Sequence, residues 1–299
     1  MESGFGNRRS VGRIVANVSA RAARSRRTSA GVAGTVAALA LLAAAASAGA
    51  QAINIKNNCS FPIWIDQTPN GGFSPLAGSG LGPAGKLDNN QQGSFAIPAN
   101  GWGGRFWPKV GCDANGANCL AGSSVSGCPA TGCEPPGDTK VEFFYDPLSS
   151  NKRPFYDVSL VDGYTLPAKI TPSKSDGGRC TPTNCNVEPT ACPTDERDVG
   201  NLQVVKEGKV VQCLAPCKKW NFPPPYGMNK SEQQPPGNYL CCPTPPISPN
   251  ECRSNIVVQT KYVNLVRNKC PSAYSYSYDD LGGSHDCPPG TSFDVVFCP

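Results

Sequence analysis

The chain has one histidine and two methionines in 299 residues, and no Cys-x-x-Cys pair. Each scarcity removes a class of chemistry. With His285 alone, and without paired-cysteine spacing, structural zinc has no obvious ligand set, so no metal and no cofactor are expected. His285 lies in "GGSHDCPPG", beside Cys287 in a turn-rich loop, where it reads as a surface histidine rather than a triad base. The run "GLGPAG" at 80–85 lacks the strand before it and the helix after it that would make a phosphate loop. Beyond residue 52 no segment is apolar enough to cross a bilayer, and nothing repeats at a fixed period.

What is abundant is cysteine. Sixteen are spread from Cys59 to Cys298, an even number at a density that reads as a disulfide framework built in an oxidising compartment. The amino end supplies a route there. A basic segment, "NRRSVGRIVANVSARAARSRRTSA", precedes the apolar "GVAGTVAALALLAAAASAGAQA", which ends in small residues. That order predicts a secretory signal over 1–52, cleaved after Ala50 or Ala52, leaving a mature chain from about residue 53. An organelle transit peptide and an uncleaved anchor are the alternatives; the cysteines favour export to the extracellular space or cell wall. The leader carries seven arginines and Glu2, so the 27 basic and 22 acidic residues of the whole chain become 20 and 21 without it. A near-neutral protein gives no electrostatic case for nucleic acid as a partner.

Alternation of period two marks strands at "INIKNNCSFPIWI", "SFAIPANGWGGRFWPK", "TKVEFFYD", "RPFYDVSLVDGYTLPAKI" and "TSFDVVFCP". In the last of these Phe293, Val295 and Phe297 share a face. Trp102, Phe106 and Trp107 read as core residues. The glycine-rich stretch from 111 to 137 has almost no apolar side chains and four cysteines. Residues 180–270 hold nine cysteines among Pro, Asn and charged residues, and only "NIVVQTKYVNLVRNKC" could be helical. Residues 218–240, with five prolines and four aromatics, read as an exposed, extended loop. In it Trp220 and Tyr226 are candidate stacking rings, and Asn229-Lys230-Ser231 is a glycosylation sequon. The expected fold is all-β: core strands at about 53–109, 138–179 and 271–299, a small disulfide lobe at 110–137, and a larger one at 180–270.

Five segments in this order, "GGRFWPKVGC", "FYDVSLVDGY", "YLCC", "NKCPSAYSYSYDD" and "VVFCP", resemble the thaumatin-like, pathogenesis-related defence proteins over essentially all of 53–299. The resemblance implies a flattened β-sandwich. It also implies the pairs Cys59–Cys298, Cys112–Cys119, Cys128–Cys133, Cys180–Cys287, Cys185–Cys270, Cys192–Cys213, Cys217–Cys241 and Cys242–Cys252. The family's acidic cleft, one arginine with four acids, maps to Arg105, Glu142, Asp157, Asp162 and Asp279, with Asp280 competing for the last place. Such a cleft implies binding of β-1,3-glucan or a related fungal wall polysaccharide, antifungal in consequence, by a monomer. This chain departs from the family at Cys119-Leu-Ala-Gly-Ser-Ser-Val-Ser-Gly-Cys128, and in longer segments between Cys217 and Cys241 and between Cys242 and Cys252.

Clustered acids also suit slow endo-β-1,3-glucanase chemistry, which needs one protonated and one ionised carboxyl. Glu142 is then the expected acid and Asp157 the base or nucleophile, with Arg105, Asp162 and Asp279 binding substrate. The other reading is binding of sugar hydroxyls, or of a cation, without bond cleavage. From a different class comes a protein inhibitor, or interaction module, that docks on a secreted enzyme through its loops. Asp157 and Asp162 are five residues apart and would face opposite sides of one regular strand, so Asp162-Gly163 is expected at a turn. Asp195 and Glu196, outside the cleft set, are expected to tolerate amide replacement.

Overall fold

The computed structural model describes residues 51–123 and 137–299. Among these are fifteen strands: β1 (Ala52–Asn57), β2 (Ile63–Pro69), β3 (Gly78–Ser79), β4 (Lys86–Leu87), β5 (Gln92–Ala96), β6 (Trp102–Val110), β7 (Lys140–Tyr145), β8 (Phe155–Ser159), β9 (Gly163–Tyr164), β10 (Ala168–Pro172), β11 (Thr183–Cys185), β12 (Gln203–Lys206), β13 (Lys209–Leu214), β14 (His285–Asp286) and β15 (Phe293–Phe297). They form two six-stranded sheets, β11-β10-β15-β1-β5-β3 and β14-β8-β7-β6-β2-β4, and a three-stranded sheet β12-β13-β9. The pairing of β1 with β15 is parallel and joins the two ends of the module; Cys59–Cys298, just past both strands, locks it.

The alternation seen in the sequence becomes the sandwich. Ile53, Ile55, Phe95, Ile170, Phe293, Val295 and Phe297 from the first large sheet meet Ile63, Trp102, Phe106, Val141, Phe143, Tyr156 and Val158 from the second, all buried. Ring contacts cross between the sheets, Phe95 to Phe106 at 4.7 Å, Phe143 to Phe293 at 5.3 Å and Tyr156 to Phe293 at 4.9 Å. Because side chains alternate along a strand, every second residue of β6, β7 and β8 must point away from this core.

Seven disulfides join the pairs that the resemblance implies; Cys128–Cys133 lies outside the described residues. The region 180–270 holds more helix than the sequence predicts: α1 (Pro216–Asn221), α2 (Gly237–Cys241), α3 (Pro249–Arg253) and α4 (Lys261–Lys269), followed by α5 (Asp280–Gly283) near the end of the chain. Helices of five or six residues are too short to show a 3.6-residue period, so periodicity missed them. Capping marks one of them, α3, and also α4, which has nine residues and lies in the segment expected to be helical. Ser248 accepts from the Glu251 amide in a Ser-Pro-Asn-Glu start, and Thr260 accepts from that of Val263.

Trp220 is a correction to the sequence reading. It is buried on α1, donates its indole N–H to the Ser231 carbonyl at 2.9 Å and carries the Lys230 ammonium 4.5 Å from its ring, so it is not an exposed stacking ring. Tyr226 is partly buried, and Asn229 is exposed. His285 is a second correction. It is buried against Tyr156, with its ring nitrogens 3.3 and 3.2 Å from the carbonyls of Arg179 and Ser272.

Candidate functional site

Register brings the first three predicted residues together. Arg105 on β6 is opposed to Glu142 on β7, and Glu142 to Asp157 on β8, in one row on the face of the sheet that points away from the core. Directly opposed residues have Cβ atoms about 4.5–5.5 Å apart. The Arg105 guanidinium lies 3.7 Å from the Glu142 carboxylate, and each side chain is about one-third exposed. Asp157 is more enclosed: its Oδ1 is buried and without a hydrogen-bond partner among the described residues. Burial, then the negative charges of Glu142 and Asp280, hold its carboxyl well above the usual carboxylate range.

Two residues along, on the same face, Phe144 is opposed to Phe155. Both are half-buried. The Phe144 ring lies over Gly103, where an added Cβ would come within 2.7 Å of it, and Phe73 meets that ring edge-on at 6.5 Å. An aromatic pair therefore adjoins the acid pair. In the sequence the pattern is legible as Glu142-x-Phe144 and Phe155-x-Asp157, but only the strand register shows the two phenylalanines to be partners.

Asp162 lies beyond the end of β8, in the bend before β9, so the strand-parity problem disappears. Gly163 makes the bend possible. Its φ of +136° and its approach to the Cys213 carbonyl, 2.0 Å from where a Cβ would sit, exclude a larger residue. The Asp162 carboxylate is held by Lys140 of β7 and, at 3.1 Å, by Lys218 of α1. Burial opposes its ionisation, but the two ammonium groups outweigh that and hold it far below the usual carboxylate range. Asp162 thus ties the β core to the disulfide-rich lobe and carries two neutralising cations.

Asp279 is separated from the row by its partners. It is buried, accepts from Arg267 at 2.8 Å, and takes the Ser275 hydroxyl and amide on its other oxygen. Asp280 is the acid of this doublet whose charge reaches Asp157; it accepts from Tyr274 Oη at 2.9 Å and pairs with Arg253 at 2.5 Å. Glu196 also differs from expectation. It is buried, and its carboxylate accepts from the Tyr262 amide at 2.8 Å, in the first turn of α4. Its charge complements the positive end of that helix, so it is no neutral control. Asp195 is exposed and paired with Lys261. Glu232 approaches Cys217 and Cys241, but both sulfurs are spent in their disulfide and offer no thiolate to a metal.

The sequence profile of the Thaumatin family matches residues 57–299. The chain belongs to the thaumatin family. Among its relatives is a protein of Prunus avium named glucan endo-1,3-beta-glucosidase, 32% identical, with 84% of this chain and 92% of that one covered. Two from Arabidopsis thaliana, a thaumatin-like protein at 34% and pathogenesis-related protein 5 at 32%, each cover 84% of this chain, and the match spans 91% of each of them. The solved structure of a thaumatin-like xylanase inhibitor covers 83% of this thaumatin-family chain and 99% of its own, at 14% identity and a TM-score of 0.33.

Proposed function

We propose that this thaumatin-family protein is exported and acts in defence as a monomer that binds β-1,3-glucan, or a closely related fungal wall polysaccharide, over the outer face of β6, β7 and β8. The observation that carries the reading is the row Arg105–Glu142–Asp157 set beside the pair Phe144–Phe155. Carboxylates accept hydrogen bonds from sugar hydroxyls, the guanidinium donates to them, and flat rings cover the apolar face of a pyranose. Asp280 supplies the next acid, in place of Asp279. Asp162 acts through Lys140, holding that ammonium beside Glu142, rather than by touching sugar. Asn229, exposed on the long loop, is the glycosylation site of the exported protein.

Slow hydrolysis is a second reading, favoured by the state of Asp157 and by the name of the Prunus avium relative. Here the sequence-based roles exchange. Asp157, whose enclosure favours its protonated form, is the acid that protonates the leaving oxygen. Glu142, beside Arg105, is the ionised partner.

The deciding experiment is retention on insoluble β-1,3-glucan, compared between wild type and Glu142→Gln. Retention that Glu142→Gln weakens roughly tenfold to a hundredfold supports the site; equal retention of the two proteins moves the ligand elsewhere, and no retention of either removes glucan as the ligand.

A further inference from the structure

Strand pairing continues past β8. On that strand's other side β14 runs antiparallel, with His285 opposed to Tyr156 and Asp286 to Phe155. The same register carries the next residue, Ser284, beside Asp157. Ser284 also lines a shallow depression of about 330 Å³, together with Arg179, Thr181, Asp280, Leu281 and His285. The volume falls within the range of small-molecule sites. His285 lines the depression with its ring packed on Tyr156 and its nitrogens 3.3 and 3.2 Å from the carbonyls of Arg179 and Ser272.

The rim carries mixed chemistry. Leu281 is 94% exposed. Arg179 donates to the Ser284 carbonyl at 2.7 Å and lies 3.6 Å from the Asp286 carboxylate, with more than half of its side chain exposed. Asp280 belongs to both places. The residue lines the depression, and its carboxylate, held by Tyr274 and Arg253, bears on Asp157 in the row.

From this continuity we infer that the cleft has a further subsite over β14, which takes the next pyranose of a bound glucan chain. Leu281 packs against the sugar's C–H face, and Asp280, Ser284, Arg179 and Thr181 meet its hydroxyls. The inference rests on the glucan reading and adds a length requirement to it: chains long enough to pass the edge of β8 gain contacts that short ones do not reach.

A series of β-1,3-gluco-oligosaccharides, from the disaccharide to the heptasaccharide, tests this by titration calorimetry against wild type, Leu281→Asp and Thr181→Tyr. Both positions are exposed. Leu281→Asp removes the apolar wall, and Thr181→Tyr fills the depression. Wild-type affinity is expected to rise with length. In both variants the shortest sugars that bind should keep wild-type affinity, while the longer ones should lose about fivefold to tenfold, the worth of one or two hydrogen bonds or an equivalent packing contact. A length dependence unchanged in both variants would eliminate the subsite and leave the acid row standing. Equal loss at every length would mean that the substitutions act on the row itself, which also overturns a separate subsite. No binding by wild type at any length would remove the glucan reading and the subsite together.

Discussion

Glu142 and Asp157 face each other across β7 and β8, yet their surroundings differ: Glu142 has the Arg105 guanidinium 3.7 Å away, while an oxygen of Asp157 is buried and without a hydrogen-bond partner among the described residues. Two acids of one row are thereby set apart by what lies beside each.

The first expectation concerns this pair as ligands. Glu142→Gln and Asp157→Asn should each weaken glucan retention roughly tenfold to a hundredfold, since a hydrogen bond to a charged group is worth about 1.5–3 kcal/mol. Asp195→Asn, on an exposed acid outside the row, should leave retention at the wild-type level. Glu196→Gln should instead lower stability by about 0.5–2 kcal/mol through the weakened start of α4. Denaturant titration of the four variants, with retention measured in parallel, separates these effects.

Asp157 also makes a statement about pH. A carboxyl held above its unfolded-state value binds its proton more tightly in the folded protein. Folding stability must then fall as pH rises from about 4, where the unfolded chain starts to lose that proton, until the folded carboxyl has ionised too. Asp157→Asn removes that term. The variant should gain on wild type in thermal melts as pH rises from 4 to 7, while losing glucan. A constant difference in melting temperature across that range would contradict the assignment.

Asp162 has the opposite sign. Its carboxylate is stabilised by Lys140 and Lys218, so the contribution is present above about pH 4 and is lost as pH falls below it. Asp162→Asn should cost about 3 kcal/mol at neutral pH, the low end for breaking a largely buried ion pair from one side. Lys218→Met should cost less, because Lys140 remains on the acid. Equal losses in the two variants by urea titration would show that Lys140 adds nothing.

Arg153 reaches both Asp176 and Asp286, linking the turn after β7, the loop after β10 and β14. It holds the Asp176 carboxyl at about 2, chiefly through their hydrogen bond. The stabilisation is in place above about pH 4 and fades as pH falls towards 2. In acid titration followed by circular dichroism, Arg153→Met should be less stable than wild type near neutrality and should converge with it at the acid end; parallel curves throughout would refute this.

The leader and the framework have direct chemical tests. Gln51 bonds to Thr291 and, through its carbonyl, to Ile97, and Ala52 is the first residue of β1. The exported protein should therefore begin at Gln51, by cleavage after Ala50; amino-terminal sequencing that finds residues before Ala48 would sink the signal reading. Non-reducing mass mapping should return the seven observed pairs and Cys128–Cys133. Replacing Cys59 and Cys298 by serine should cost about 2–5 kcal/mol.

By itself the sequence determined the strands of the sandwich, because burial on one face imposes a two-residue period that Ile53–Ile55, Val141–Phe143 and Phe293–Val295–Phe297 display openly. It also carried the cysteine framework and, through motif resemblance, Glu142 and Asp157, which strand register sets in one row. What it could not decide were relations made by register and by distant partners. Nothing local distinguishes Asp279 from Asp280; Arg267, twelve residues away along the chain, claims the first and leaves the second near Asp157. Nor does "KKWNF" reveal that Trp220 is buried, since its cover comes from Ser231 and Lys230, folded back onto α1. Chain neighbours set period and turn. Which charge meets which is set by strand pairing and by long-range packing, and that alone placed Glu142 against both Arg105 and Asp157.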